Sequence, residues 1–243
     1  ESKLPAGQTA SVELRWTPDL ARFGGVDTLE GAVTDQIRAR VYECAAVLGE
    51  RTTVTFNGET LTTSMRDLVV TQVVGDGGTQ LHCETVKSGK RVRAEVYVAF
   101  SPEGFRPMGF VNGVRCAAGT HVDSVVQQVA EALVRVAGRQ QHGKDLAKEL
   151  PTRLVRSRLF VCVRALVDSP AFDSQTKDQL VTPASKLGYD PKLDPKKLDK
   201  GLAALPTLLD SVLDLVRFKD QQRLKREVRK GAGAAGGRPS VPK

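Results

Sequence analysis

The chain has 243 residues, 40% of them hydrophobic, enough for one large domain or two small ones around a packed core. No apolar run nears the roughly 20 residues of a bilayer-spanning helix, and the opening ESKLPAGQTA lacks the charged-then-apolar order of a signal peptide, so neither is expected. A formal net charge of +8 favours a polyanionic partner, while four scattered cysteines and three histidines offer neither zinc-ligand spacing nor a disulfide framework; reduced thiols and an intracellular setting are expected.

In chain order, SVELRWTPDLARF alternates and then breaks at Pro18, as a strand entering a turn does. Asp27 with Glu30 fits a capping box. Leu29, Val33, Ile37, Val41, Cys44 and Leu48 then recur at helical spacing up to Gly49. TTVTFNGETLTT predicts two short strands joined by Asn57-Gly58, a dipeptide that accepts the positive φ angles of a tight hairpin. A short helix fits 64–74. Beyond the GDGG turn, TQLHCETVK and RVRAEVYVAF predict antiparallel strands, with Val92, Ala94, Val96, Val98 and Phe100 on one face. FRPMGFVNGV adds another strand.

Thr120 is placed to cap a helix with Asp123 in its first turn and Val122, Val126, Val129, Leu133 and Val136 as its buried stripe. RLVRSRLFVCVRALV is apolar on both faces around Phe160 to Val163 and predicts a central strand, parallel to the one before the helix; such a crossover is right-handed by rule. From Asp194 the pattern is helical, and 206–230 reads as one long helix, apolar at Leu208, Leu209, Val212, Leu215 and Val216 and strongly basic beyond. The expected fold class is α+β: a mostly antiparallel sheet of four to five strands with helices on one face, a right-handed strand-helix-strand crossover and a long C-terminal helix. The expected division is a core at 1–190, a helical extension at 191–230 and a flexible basic linker at 231–243, GAGAAGGRPSVPK.

Three places carry chemistry. The polar loop SPAFDSQTKDQLVTP, 169–183, leaves the carboxyl end of the buried strand, where α/β folds present groups to ligands. Lys177 offers a mobile positive charge to a phosphate and Gln175 an amide donor; a solvated loop lysine accounts for the same residues. AAGTHVDSV puts small residues before a helix amino terminus, either to admit an anion or simply to permit a tight turn at Gly119, with His121 structural. Arg139, His142 and Lys144 close the same helix, and Arg153, Arg156 and Arg158 follow. They are either a solvated basic face or a sequence-indifferent contact to DNA phosphates, a contact to which the basic end of the last helix would add.

PAFDSQTKDQL, FVNGVRCAAGTHVDSV and RWTPDLARF together, in this order and spacing, resemble the type II DNA topoisomerases of the eukaryotic and viral kind. The resemblance covers nearly the whole chain and falls on the transducer domain, the second half of the ATPase gate. Ala118 stands where that family carries the first of two glycines. The resemblance implies that Gln175, Thr176 and Lys177 reach the ATP site of a preceding nucleotide-binding domain, with Lys177 at the γ-phosphate. It implies that Arg139, Gln140, Gln141 and Lys144 face the transported duplex. It also implies ATP and Mg2+ in the full-length enzyme, with no metal ligand in this chain, a C-terminal DNA cleavage core, a homodimer, and a location in the nucleus, or in cytoplasm or virion for a viral enzyme. No Arg-Tyr pair is present, since Tyr42, Tyr97 and Tyr189 follow Val41, Val96 and Gly188; this piece is therefore expected to be inactive alone and to order the 170–183 loop only with ATP. A non-enzymatic basic DNA-binding module is the alternative.

Overall fold

The structure, a computed structural model, describes residues 17, 19–23, 31–49, 52–73, 80–116, 118–140 and 150–235, without the side chains of 224 and 226–235. The opening strand, the Asp27/Glu30 box and the GDGG turn lie outside or mostly outside these residues. Two compact units are present, Glu1–Val41 and Tyr42–Lys243. In the first, a 3-10 turn at Leu20–Phe23 carries an exposed Arg22–Asp19 ion pair of 2.9 Å. Helix α1, Gly31–Leu48, begins there and ends in the second unit.

The last turns of α1 turn a different face inward than the periodicity predicts. Ala45, Ala46 and Val47 are buried while Cys44 and Leu48 are exposed. The buried Glu43 explains the rotation, because its carboxylate pairs with Arg115 and fixes which side meets the sheet. Asn57-Gly58, with φ of 52° and 85°, joins strands β1 (Val54–Phe56) and β2 (Glu59–Leu61) as expected. Helix α2, Met65–Val73, opens on Ser64, which exchanges hydrogen bonds with Asp67: Ser64 N donates to the carboxylate and Asp67 N to Ser64 Oγ, both at 3.1 Å.

The main sheet contains β3 (His82–Ser88), β4 (Arg91–Phe100), β5 (Arg106–Val111), β6 (Val114–Arg115) and β8 (Leu159–Ala165) in the order β3-β4-β8-β5-β6. All neighbours are antiparallel except β5 and β8, which run parallel because α3 (Thr120–Gln140) returns the chain between them. β8 is central and buried on both faces, which is why its sequence is an unbroken apolar run. The stretch expected as one strand divides: Thr152–Arg156 forms the short helix α4, closed by Arg158 N donating to Val155 O at 3.0 Å.

The helices lie on two faces, not on the single face expected. Val96, Val98, Val161 and Val163 pack with α3, α5 (Pro195–Ala203) and α6 (Pro206–Ala235); Tyr97, Met108, Phe110, Phe160 and Cys162 pack with Ala46 and Val47 of α1 and with Met65, Leu68 and Val69 of α2. Period-two alternation on strands buried on both sides makes this unavoidable, since each apolar set needs its own cover. On α3, Val122, Val126, Val129 and Leu133 are each almost wholly buried, contributing about 1.5–3 kcal/mol apiece by area. Asp194 caps α5 by accepting from Lys196 N and Lys197 N. Helix α6 continues to Ala235, into the segment expected as linker, and 236–243 lie outside the described residues. Among the described residues no helix is long and apolar enough to cross a membrane.

Candidate functional site

Residues 166–178 leave the end of β8 and return as β9, Gln179–Leu180. The entry is pinned by Asn112, whose amide donates to Val167 O and accepts from Val167 N, both at 2.9 Å. Asn112 holds this position with φ of 50°, in the tight turn between β5 and β6. Leu166 N donates to Arg93 O at 2.7 Å, and the Arg93 guanidinium lies 2.7 Å from Asp168 Oδ2.

The exit is pinned to the start of α3. β9 runs parallel to β7 (Ala118–Gly119), with Gly119 opposite Leu180. The expectation that Thr120 caps the helix is corrected here: its hydroxyl donates to Thr182 O at 2.6 Å and so belongs to the loop. A Cβ on Gly119 would sit 2.3 Å from Leu180 O, and its φ is +124°. Gly119 is therefore required by the close passage of the returning loop, and the loop backbone, not an anion, lies against it. The close approach falls on Gly119 and spares Ala118, which is exposed, so the alanine at 118 is accommodated.

At the tip the loop holds itself. Ala171 N donates to Thr182 Oγ1 at 2.7 Å, Val181 N to Ala171 O at 2.9 Å and Asp173 N to Gln179 O at 3.2 Å. The acids are engaged within the loop: Asp173 Oδ1 accepts from Gln179 N at 3.3 Å, and Asp178 accepts from the Thr176 hydroxyl. Thr176 also shares a 2.8 Å hydrogen bond with Ser174, giving it the holding role within the tip. Lys177 adopts φ of +61°, an uncommon conformation for a residue with a side chain. Its ammonium lies 5.9 Å from the centre of the Phe172 ring, and among the described residues no carboxylate pairs with it. Gln175 and Lys177 are exposed. Bonds within the chain hold the tip in this arrangement.

His121, beside this exit, is fully buried with both ring nitrogens lacking a hydrogen-bond partner, in keeping with a structural part. Burial drives its pKa down to about 4, opposed in part by the nearby Cys116 carbonyl. An unfolded histidine titrates near 6.5, so between pH 6.5 and 4 the unfolded chain binds the extra proton and stability falls as the pH falls. The expected loss over that window is about 3 kcal/mol. Unfolding free energies of the protein and of His121→Leu, followed from pH 7 to 4, should shift relative to each other by that amount in favour of the variant.

The basic corner is less free than its sequence suggests. Arg139 and Arg135 share Asp199 of α5, each at 3.0 Å, although the Arg139 side chain remains 67% exposed. Gln140 is exposed at the end of α3, while Gln141 and Lys144 lie outside the described residues. Arg156 stacks 4.1 Å from the centre of the Phe105 ring and faces Asp123. On α6, Arg217 pairs with Asp214 at 3.0 Å. Asn112, Arg93 and Asp168 carry no signal that singles them out in the sequence, and Thr120 reads there only as a helix cap; their partners lie 55 to 75 positions away in the chain.

A family model described as DNA gyrase B matches residues 58–232, which include every strand from β3 on, the loop and nearly all of α6. The chain belongs to the DNA gyrase B family. DNA topoisomerase 2 of Arabidopsis thaliana is 30% identical to this chain over 235 residues, covering 95% of this chain and 15% of that protein. DNA topoisomerase 2-alpha of Mus musculus is 27% identical over 219 residues, covering 88% and 14%. Among solved structures, the ATPase and transducer domains of DNA topoisomerase II from Balamuthia mandrillaris superpose with a TM-score of 0.71 at 27% identity, covering 84% of this chain and 49% of that one. The ATPase region of Saccharomyces cerevisiae topoisomerase II, at 23% identity and a TM-score of 0.68, shares the fold. The chain thus spans about half of those solved regions and about 15% of the curated relatives.

Proposed function

We propose that this chain is the transducer part of an ATP-dependent type II DNA topoisomerase that passes one duplex through another. It couples ATP binding and hydrolysis in a preceding nucleotide-binding domain to movement of the gate through the Gln175-Thr176-Lys177 loop. The support is Lys177 itself: a loop pinned at both ends holds its ammonium outward while Asp173 and Asp178 are occupied by the loop's own donors. A cation so left can meet a phosphate oxygen without first breaking an ion pair.

Bound ATP would supply a terminal phosphoryl group whose negative charge is spread over its outer oxygens, with further charge building on the leaving oxygen as that bond breaks. Lys177 stabilises that charge, Gln175 donates an amide hydrogen bond beside it, and Thr176 keeps the tip folded through Ser174 and Asp178. When the phosphate leaves, the ammonium loses its partner, and the loop no longer ties this domain to its neighbour. ATP and Mg2+ belong to the full-length enzyme, and no metal ligand is assigned to this chain. The same enzyme is a homodimer with a DNA cleavage core, intracellular in location. Arg139, Gln140, Gln141 and Lys144, with the basic end of α6, face the transported duplex.

The net charge of +8 also suits a DNA-binding module without enzymatic partners. ATP turnover by the full-length protein separates the two: loss with Lys177→Ala supports the transducer, and unchanged turnover sinks it. Duplex binding by this chain, titrated at 50 and 200 mM salt, tests the DNA face independently. About six phosphate contacts would weaken affinity by roughly 10³-fold between those salts, and an unchanged affinity would remove Arg139 to Lys144 from the interface.

A further inference from the structure

Arg93 on β4 has a guanidinium that is only 14% exposed, and its one carboxylate partner among the described residues is Asp168, whose side chain is 68% exposed. Asp168 is the first residue beyond Val167, the point at which Asn112 pins the loop. A third element closes on the pair. Gly188, with φ of +79°, lies so near that a Cβ there would meet Asp168 Oδ2 at 2.2 Å and Arg93 Nη2 at 2.8 Å. Tyr189 follows, its phenol pushed up to about 12 by burial, with the Arg93 charge opposing.

From this turn a short extended segment leads into the C-terminal helices, pinned at each step. Gln128 of α3 donates to Pro191 O at 3.1 Å and accepts from Leu193 N at 2.9 Å. Asp194 N donates to Glu84 Oε1 of β3 at 2.8 Å, and the Asp194 carboxylate caps α5.

We propose that Asp168, Arg93 and Gly188 form the joint through which displacement of the Gln175–Lys177 loop reaches α5 and α6. The proposal rests on the transducer reading above and names positioning residues for it. The physical basis is the unequal burial of the pair. A loop that moves pivots beyond Val167 and carries Asp168 with it, whereas Arg93 is embedded and cannot follow into water. Leaving that cation unpaired is unfavourable, so the guanidinium and the turn wedged against it must readjust together. Because the segment is short and held at Pro191, Leu193 and Asp194, the readjustment is passed to the cap of α5.

The test uses the full-length enzyme with Asp168→Asn, which keeps the shape and removes the charge at an exposed position. ATP turnover should stay within about twofold, while duplexes passed per ATP hydrolysed fall by about fivefold or more, the lower end of an ordinary coupling energy. Amide hydrogen exchange gives a second readout: a non-hydrolysable ATP analogue should alter exchange at 173–178 and at 187–194 in the parent, but only at 173–178 in Asp168→Asn. Asp168→Glu should restore both. An unchanged passage-to-ATP ratio, or an intact response at 187–194, overturns the joint, as does a parallel fall of turnover and passage, which would place Asp168 in the nucleotide contact. Failure of the transducer reading looks different, since Lys177→Ala would then leave ATP turnover untouched.

Discussion

In the full-length enzyme, Lys177→Ala is expected to lower ATP turnover by about 10²-fold, the usual effect of deleting one positioned group that stabilises charge developing in a transition state. The folded protein should scarcely notice. Lys177 is exposed, its ammonium lies over the Phe172 ring and its backbone bond to Ser174 O survives the substitution, so the melting transition of the variant should move by no more than about 0.5 kcal/mol equivalent. Lys177→Arg should recover little, because a planar guanidinium on a longer stem does not reproduce a compact ammonium at one phosphate oxygen. Gln175→Ala removes a neutral donor and should cost only about 1 kcal/mol, roughly fivefold. Steady-state ATP hydrolysis on the three variants checks the order. Equal turnover in all of them would dismiss the loop as a nucleotide contact.

The largest expected effect on stability lies at Gly119. Gly119→Ala meets two obstacles at once: φ of +124°, which residues with a Cβ rarely adopt, and a Cβ placed 2.3 Å from Leu180 O and 2.6 Å from Leu180 N. Both opposing atoms are backbone, so no rotamer change relieves the clash. The pairing of β7 with β9 must open, and with it the exit anchor of the loop. A loss of about 3 kcal/mol is expected, which for a unit of this size corresponds to a fall in Tm of roughly 6–12 °C. Ala118→Gly, one residue away and exposed, serves as the control and should change stability by less than about 1 kcal/mol. Thermal denaturation of the two variants side by side distinguishes a requirement at 119 from general intolerance of the turn.

Local regularities were legible in the sequence wherever a short-range rule acts alone. The Asn57-Gly58 hairpin, the start and buried stripe of α3, the central parallel position of β8 and the strand count all follow from period, turn chemistry and an apolar run too long to be one-sided. Errors came where burial was decided by something distant. The inward face of α1 is set by the Glu43–Arg115 pair, 72 positions apart, which no helical period reveals. The second covered face of the sheet was already implicit in the alternation of β4 and β8, but which helices would cover it was not. Helix-cap statistics ask the Thr120 hydroxyl to accept from a helix N–H, whereas in the structure it donates to a tertiary partner, Thr182 O.

The loop shows the same division most clearly. The residues Gln175, Thr176 and Lys177, their place after a buried strand and their likeness to a family motif are properties of the string, because they depend on neighbours in the chain. Why that loop keeps its shape is not in the string. Its anchors, Asn112, Gly119 and Thr120, are gathered from the β5–β6 turn and the start of α3 only when the β5-α3-β8 crossover closes. Which residue offers a mobile positive charge was legible in the string; only the tertiary structure decided where its loop is held, since hydrogen bonds and ion pairs depend on distance in space and not on distance along the chain.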